Sequence, residues 1–160
     1  MADNTIHHWK EGVGAYNSGD VQKAIQEFMS ASPSKGILFN LGVACAKLGQ
    51  NKEAIQHFDE VINLDPGLGV AFLTRGACKH HSGRFEEAVA DYDRAVATMR
   101  GGDMVDYSSE GLSFELYKVD LLFNRALALK ELGRSAEALD DALAARRCLD
   151  GRTAAGRQEP

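Results

Sequence analysis

The stretch FNLGVACAKLGQNKEAIQHFDEVINLDP, Phe39 to Pro66, decides the fold once it is laid over LTRGACKHHSGRFEEAVADYDRAVAT, Leu73 to Thr98. Gly42 falls on Gly76, Gly49 on Gly83, Ala54 on Ala88, Phe58 on Tyr92 and Val61 on Ala95, each at an offset of 34 residues. A fixed period of that size marks an array of supersecondary units that bury their apolar faces only by stacking. Gly42 and Gly76 let two helices approach where a side chain would intrude. Gly49 and Gly83 end the first helix of each unit, where a left-handed backbone favours glycine. Pro66 stops the second helix at Asp65.

The frame extends both ways, with two irregularities. Upstream, Gly12, Gly19, Ala24, Phe28 and Ala31 fit, but Ala24 lies 30 residues before Ala54, so the first unit is short and Ser32-Pro33-Ser34 makes a tight connection. Downstream, Gly133, Ala138 and Ala145 fit, but Ala138 lies 50 residues after Ala88. An insertion of 16 residues therefore falls between Thr98 and Lys118. The pattern predicts helices near 6–18, 22–32, 36–48, 52–63, 70–82, 86–98, 119–132 and 136–148.

Period and residue types together resemble the tetratricopeptide repeat. The resemblance implies an all-α, right-handed helical solenoid of four helix pairs, with repeats near 5–34, 35–68, 69–99 and 119–149. On this reading residues 1–149 are a single domain and 150–160 a flexible polar tail.

Totals narrow the function. Of the 160 residues 44% are apolar and 26% charged, ordinary for a globular chain, and the net charge of -5 argues against nucleic acid as a partner. No apolar run reaches the roughly eighteen residues of a membrane span. Met1 to Lys10 is polar, with no signal-peptide pattern. Cys45, Cys78 and Cys148 read as reduced thiols of a cytoplasmic protein. His7-His8 and His80-His81 lack the i, i+4 spacing of helical metal ligands, and Gly101-Gly102 lacks the Lys-Ser/Thr of a phosphate loop. Glu86-Glu87 and Asp91-Asp93-Arg94 read as a solvated helix face. With no nucleophile elbow or acid–base pair visible, the reading is a non-enzyme without cofactor or metal.

The insertion runs from Arg100 to Tyr117. Leu112, Phe114 and Leu116 alternate with polar residues, the period of a half-buried strand. Met104 to Tyr107 is β-prone, and Ser108 to Gly111 supplies turn residues. A small hairpin, or a looser version of one, is predicted to project from the array. Insertions of this kind serve either as binding loops or as tolerated additions packed on the fourth repeat.

A short first repeat, an insertion before the fourth, and Arg-Gly-x-x-(apolar)-(apolar)-Asp-Tyr followed by Gly-Leu-x-Phe-x-Leu resemble the NADPH oxidase activator family, as does Leu38-Phe39-Asn40. The resemblance implies a cytoplasmic, monomeric adaptor, possible to recruit to a membrane through its partners. It would bind a Rac-type small GTPase in its GTP form and work with NADPH oxidase components. Arg100, Met104 and Asp106 match family contacts in the insertion, and Asp65 matches an acidic contact after repeat two. Gly102, Gly67 and Lys35 occupy contact positions with changed residue types, the last beside Gly36. Arg100 as a helix-end cation and Asp106 as a turn residue remain the alternatives.

First helices of the pairs line the inner face of such arrays. In this frame the groove comprises Trp9, Val13, Phe39, Val43, Leu73, Ala77, Phe123 and Leu127. It is apolar, and a peptide or helix lying in it is the second functional reading.

Overall fold

The computed structural model describes residues 2–110, 112 and 114–155. The chain divides into two compact units, Met1–Gly67 and Leu68–Pro160.

In the first unit, α1 (Ala2–Asn17) pairs with α2 (Val21–Ser30), and α3 (Lys35–Lys47) pairs with α4 (Asn51–Leu64). Asp20 and Ser34 cap α2 and α3, each side chain accepting a hydrogen bond from the backbone N–H three residues on, Lys23 and Ile37. The turn after α3 closes through Gly49 at φ +74°, with the Gln50 N–H donating to the Cys45 carbonyl at 3.0 Å. Glycine accepts that φ without Cβ strain.

Packing inside each pair follows one rule. A Cβ on Gly12 would lie 2.5 Å from Phe28 Cε1, and one on Gly42 would lie 2.6 Å from Phe58 Cε1. The missing side chain is the seat of the aromatic ring sixteen residues later. Phe28, Phe58, Ala24 and Ala54 are accordingly at most 2% exposed.

The second unit repeats the rule with Gly76 and Tyr92 (Cβ to Cε1, 2.8 Å). It comprises α5 (Gly69–His81), α6 (Phe85–Thr98), strands β1 (Met104–Asp106) and β2 (Glu115–Tyr117), α7 (Lys118–Glu131) and α8 (Ser135–Ala155). The eight helices among the described residues fall within about two residues of the predicted ranges, apart from the ends of the chain. At the far end, α8 runs through Ala155 instead of stopping near 148, so 150–155 is helix where a flexible tail is expected. Residues 156–160 lie outside the described residues.

The insertion is a two-stranded antiparallel hairpin. Met104 pairs with Tyr117, Val105 with Leu116 and Asp106 with Glu115. Its strands are shorter than the alternation suggests. Ser108–Glu110 is a 3-10 turn, and Leu112 and Phe114 fall outside β2; Gly111 and Ser113 lie outside the described residues. The hairpin does not simply project. Leu116 is fully buried, Tyr107 and Leu112 are 3% exposed, and β2 lies against α5 and α7. Its underside is core and its outer face is surface.

Candidate protein-docking site

Each residue of the insertion motif takes its place from the chain on either side. Helix α6 is capped by Met99, and the Gly102 N–H donates back to the Met99 carbonyl at 2.9 Å. Between them Arg100 and Gly101 turn the chain at φ +50° and +85°. Arg100 is the only non-glycine at positive φ among the described residues. That conformation costs an L-residue about 1–2 kcal/mol, and such outliers cluster where function requires them. The Arg100 side chain is exposed, and among the described residues it makes no hydrogen bond or ion pair.

Alternation along β1 puts Met104 and Asp106 on the outer face and Val105 toward the packed side. Met104 is 47% exposed, a thioether held in water. Asp106 is also exposed, and its carboxylate accepts from the Ser108 N–H at 2.8 Å and the Ser108 hydroxyl at 2.9 Å. These bonds, the backbone one foremost, hold the Asp106 carboxyl below its ordinary range. Asp106 is therefore both the turn residue and an outward anion, since a carboxylate has more lone pairs than Ser108 uses. Gly102 sits exposed between Arg100 and Met104.

In the first unit the structure brings the other three motif residues together. Lys35 Nζ meets Asp65 Oδ2 at 2.7 Å, and the Gly67 N–H donates to Asp65 Oδ1 at 3.1 Å. Both charged side chains are 29% exposed. Asp65 thus ties the loop after α4 to the start of α3.

The expected groove residues divide by burial. Trp9, Phe123 and Leu127 are exposed, at 39%, 58% and 38%. Val13, Val43 and Ala77 are half-buried. Phe39 and Leu73 correct the expectation: they are 4% and 9% exposed, with the Phe39 ring 5.7 Å from that of Phe58, so inter-helix packing absorbs them.

Asp91 also departs from its reading as a solvated residue. It is 3% exposed and bound by Arg75 Nε at 2.9 Å and Lys79 Nζ at 2.8 Å. Arg125 repeats the arrangement with Asp141 at 2.7 Å and reaches Asp93 on α6 as well. The spacing of sixteen that links Arg75 to Asp91 and Arg125 to Asp141 is the signal that would have found both pairs. Among the described residues no three His, Cys, Asp or Glu side chains form a metal-holding group, and no helix is long and apolar enough to cross a membrane.

Comparison with known proteins agrees with this architecture. The tetratricopeptide repeat family profile matches residues 37–68. The chain is 32% identical to an NADPH oxidase activator of Dictyostelium discoideum, over 84% of this chain and 22% of that protein. It is 33% identical to human neutrophil cytosol factor 2, over 82% of this chain and 26% of that protein. The chain thus spans about a quarter of the length of these curated relatives. Among solved structures, MamA superimposes with a TM-score of 0.79 at 17% identity, covering 94% of this chain and 81% of that one, a likeness of fold.

Proposed function

We propose that this tetratricopeptide-repeat chain, similar over most of its length to an NADPH oxidase activator and to neutrophil cytosol factor 2, is an adaptor docking a GTP-bound Rac-type small GTPase in the course of oxidase activation. The observation that carries the reading is Arg100. A guanidinium with no partner among the described residues stands in a strained backbone conformation at the base of a packed hairpin.

The chemistry suits the task. Arginine offers a rigid fork of donors matched to carbonyls or a carboxylate on a partner loop. Met104 adds an adaptable apolar contact and Asp106 an anion, both outward on one strand. Because the hairpin's underside is buried, little ordering entropy is lost when its outer face is engaged. A rigid platform meeting a segment ordered only by GTP would sense the nucleotide through that order. The role is binding rather than catalysis, in the cytoplasm, with recruitment to a membrane through oxidase components.

The test is calorimetric titration of the chain with a Rac-type GTPase loaded with a non-hydrolysable GTP analogue or with GDP. Binding of the GTP form alone is expected; equal affinity for both forms removes the proposal.

A further inference from the structure

Two clefts in the second unit share Tyr117 and Asp120. One, of 610 Å³, is lined among the described residues by Asp106, Ser108, Phe114, Glu115, Tyr117 and Asp120, three carboxylates and no cation. The other, of 550 Å³, lies along α7 and α8, where Val119, Phe123, Ala145 and Leu149 give it apolar walls and Arg146 lines it as well. Phe123 and Leu149 are 58% and 48% exposed, large apolar surfaces left to water.

The hairpin register gives the acidic cleft a direction. Asp106 and Glu115 are directly opposite each other, and like charges so placed work against strand pairing. Each carboxylate leans on a local donor, Ser108 for Asp106 and the Tyr117 hydroxyl for Glu115. Asp120 adds a third negative charge from the first turn of α7. A cation seated there would relieve the repulsion and meet the aromatic side chains of Phe114 and Tyr117. An adjoining apolar segment would cover Phe123 and Leu149.

We propose that this surface binds a partner's peptide segment in which a Lys/Arg cluster adjoins apolar anchor residues. The cations lie against Asp106, Glu115 and Asp120, and the anchors enter the cleft between α7 and α8. Asp106 is common to this surface and the GTPase reading; Asp120 and Phe123 belong to this surface alone, so the two stand or fall separately.

The experiment is fluorescence anisotropy with a labelled synthetic peptide, a Lys/Arg cluster followed by a Leu/Phe stretch, against a matched peptide with Glu for every Lys and Arg. The basic peptide should bind saturably and the acidic one should not. Asp120→Lys and Phe123→Glu, both at exposed positions, should each weaken binding about tenfold or more while circular dichroism shows helicity retained. Equal binding of the two peptides, or variants that bind as well as the parent chain, overturns the proposal. So does a concentration-dependent dimer that Phe123→Glu dissolves without any peptide binding, which assigns the face to a second copy. Titration of the same variants with GTP-loaded GTPase separates failure here from failure at Arg100.

Discussion

Gly69 opens α5 directly against the hairpin: a Cβ at this position would lie 2.9 Å from Tyr107 Oη and 2.1 Å from Thr98 Oγ1. Leu116 Cδ2 is 3.0 Å away on the same side. The absence of one methyl group thus lets the insertion seat on the repeat before it. Thr98 cannot easily yield, because its hydroxyl donates to the Ala95 carbonyl at 2.7 Å. Gly69→Ala is expected to cost about 1–3 kcal/mol in denaturant unfolding, the range for overpacking a filled site. It should also weaken GTPase binding by shifting the platform that carries Met104 and Asp106.

Asp91 holds two cations out of water, Arg75 and Lys79, whose side chains are 16% and 10% exposed. Asp91→Ala strands both. The expected loss is about 3–5 kcal/mol in urea or thermal unfolding, far above the effect of a surface aspartate. Asp140, exposed on α8, is the control.

Tyr92 is fully buried, and among the described residues its hydroxyl has no hydrogen-bond partner. Burial, with the nearby Asp91 charge second, pushes the phenol well above its ordinary range, so it stays protonated in alkaline solution. Phe58 and Phe28 fill the corresponding seats without a hydroxyl. Tyr92→Phe should therefore stabilise the chain by about 1 kcal/mol, raising the melting temperature by roughly 2–4 °C in a calorimetric scan.

Ser108 sets the titration of Asp106. The folded carboxyl is depressed, so its support for the turn is complete above the ordinary aspartate value of about 3.9 and fades as pH falls through the lowered one. Ser108→Ala keeps the backbone donor and removes the hydroxyl. Carboxyl-detected NMR titration should show Asp106 moving back up toward its ordinary range in that variant.

Much of this was legible because repeats write their packing locally. Gly42 with Phe58 and Gly76 with Tyr92 recur at a fixed spacing, so comparing the chain with itself located helices, turns and the interruption. The hairpin's existence followed from alternation. Its boundaries did not, because Asp106 accepts from Ser108 and turns the chain one residue after β1, leaving Leu112 and Phe114 outside the strand. Gly69 carries no local signal at all: its constraint comes from Thr98, Tyr107 and Leu116, brought near only by the fold. Asp91 hid in Asp91-Tyr92-Asp93-Arg94, a string whose charges suggest water, because its partners sit a helix earlier. Arg100 and Asp106 could be placed in sequence, but not their exposure or the left-handed turn at Arg100.

The most direct measurement is the affinity of Arg100→Gly for GTP-loaded Rac-type GTPase, with thermal unfolding recorded on the same samples. Glycine adopts φ +50° without strain, so the substitution removes the guanidinium while relaxing the backbone that carries it. The account predicts binding weaker by about tenfold or more, with a melting temperature unchanged or raised. Binding at the strength of the parent chain would contradict it.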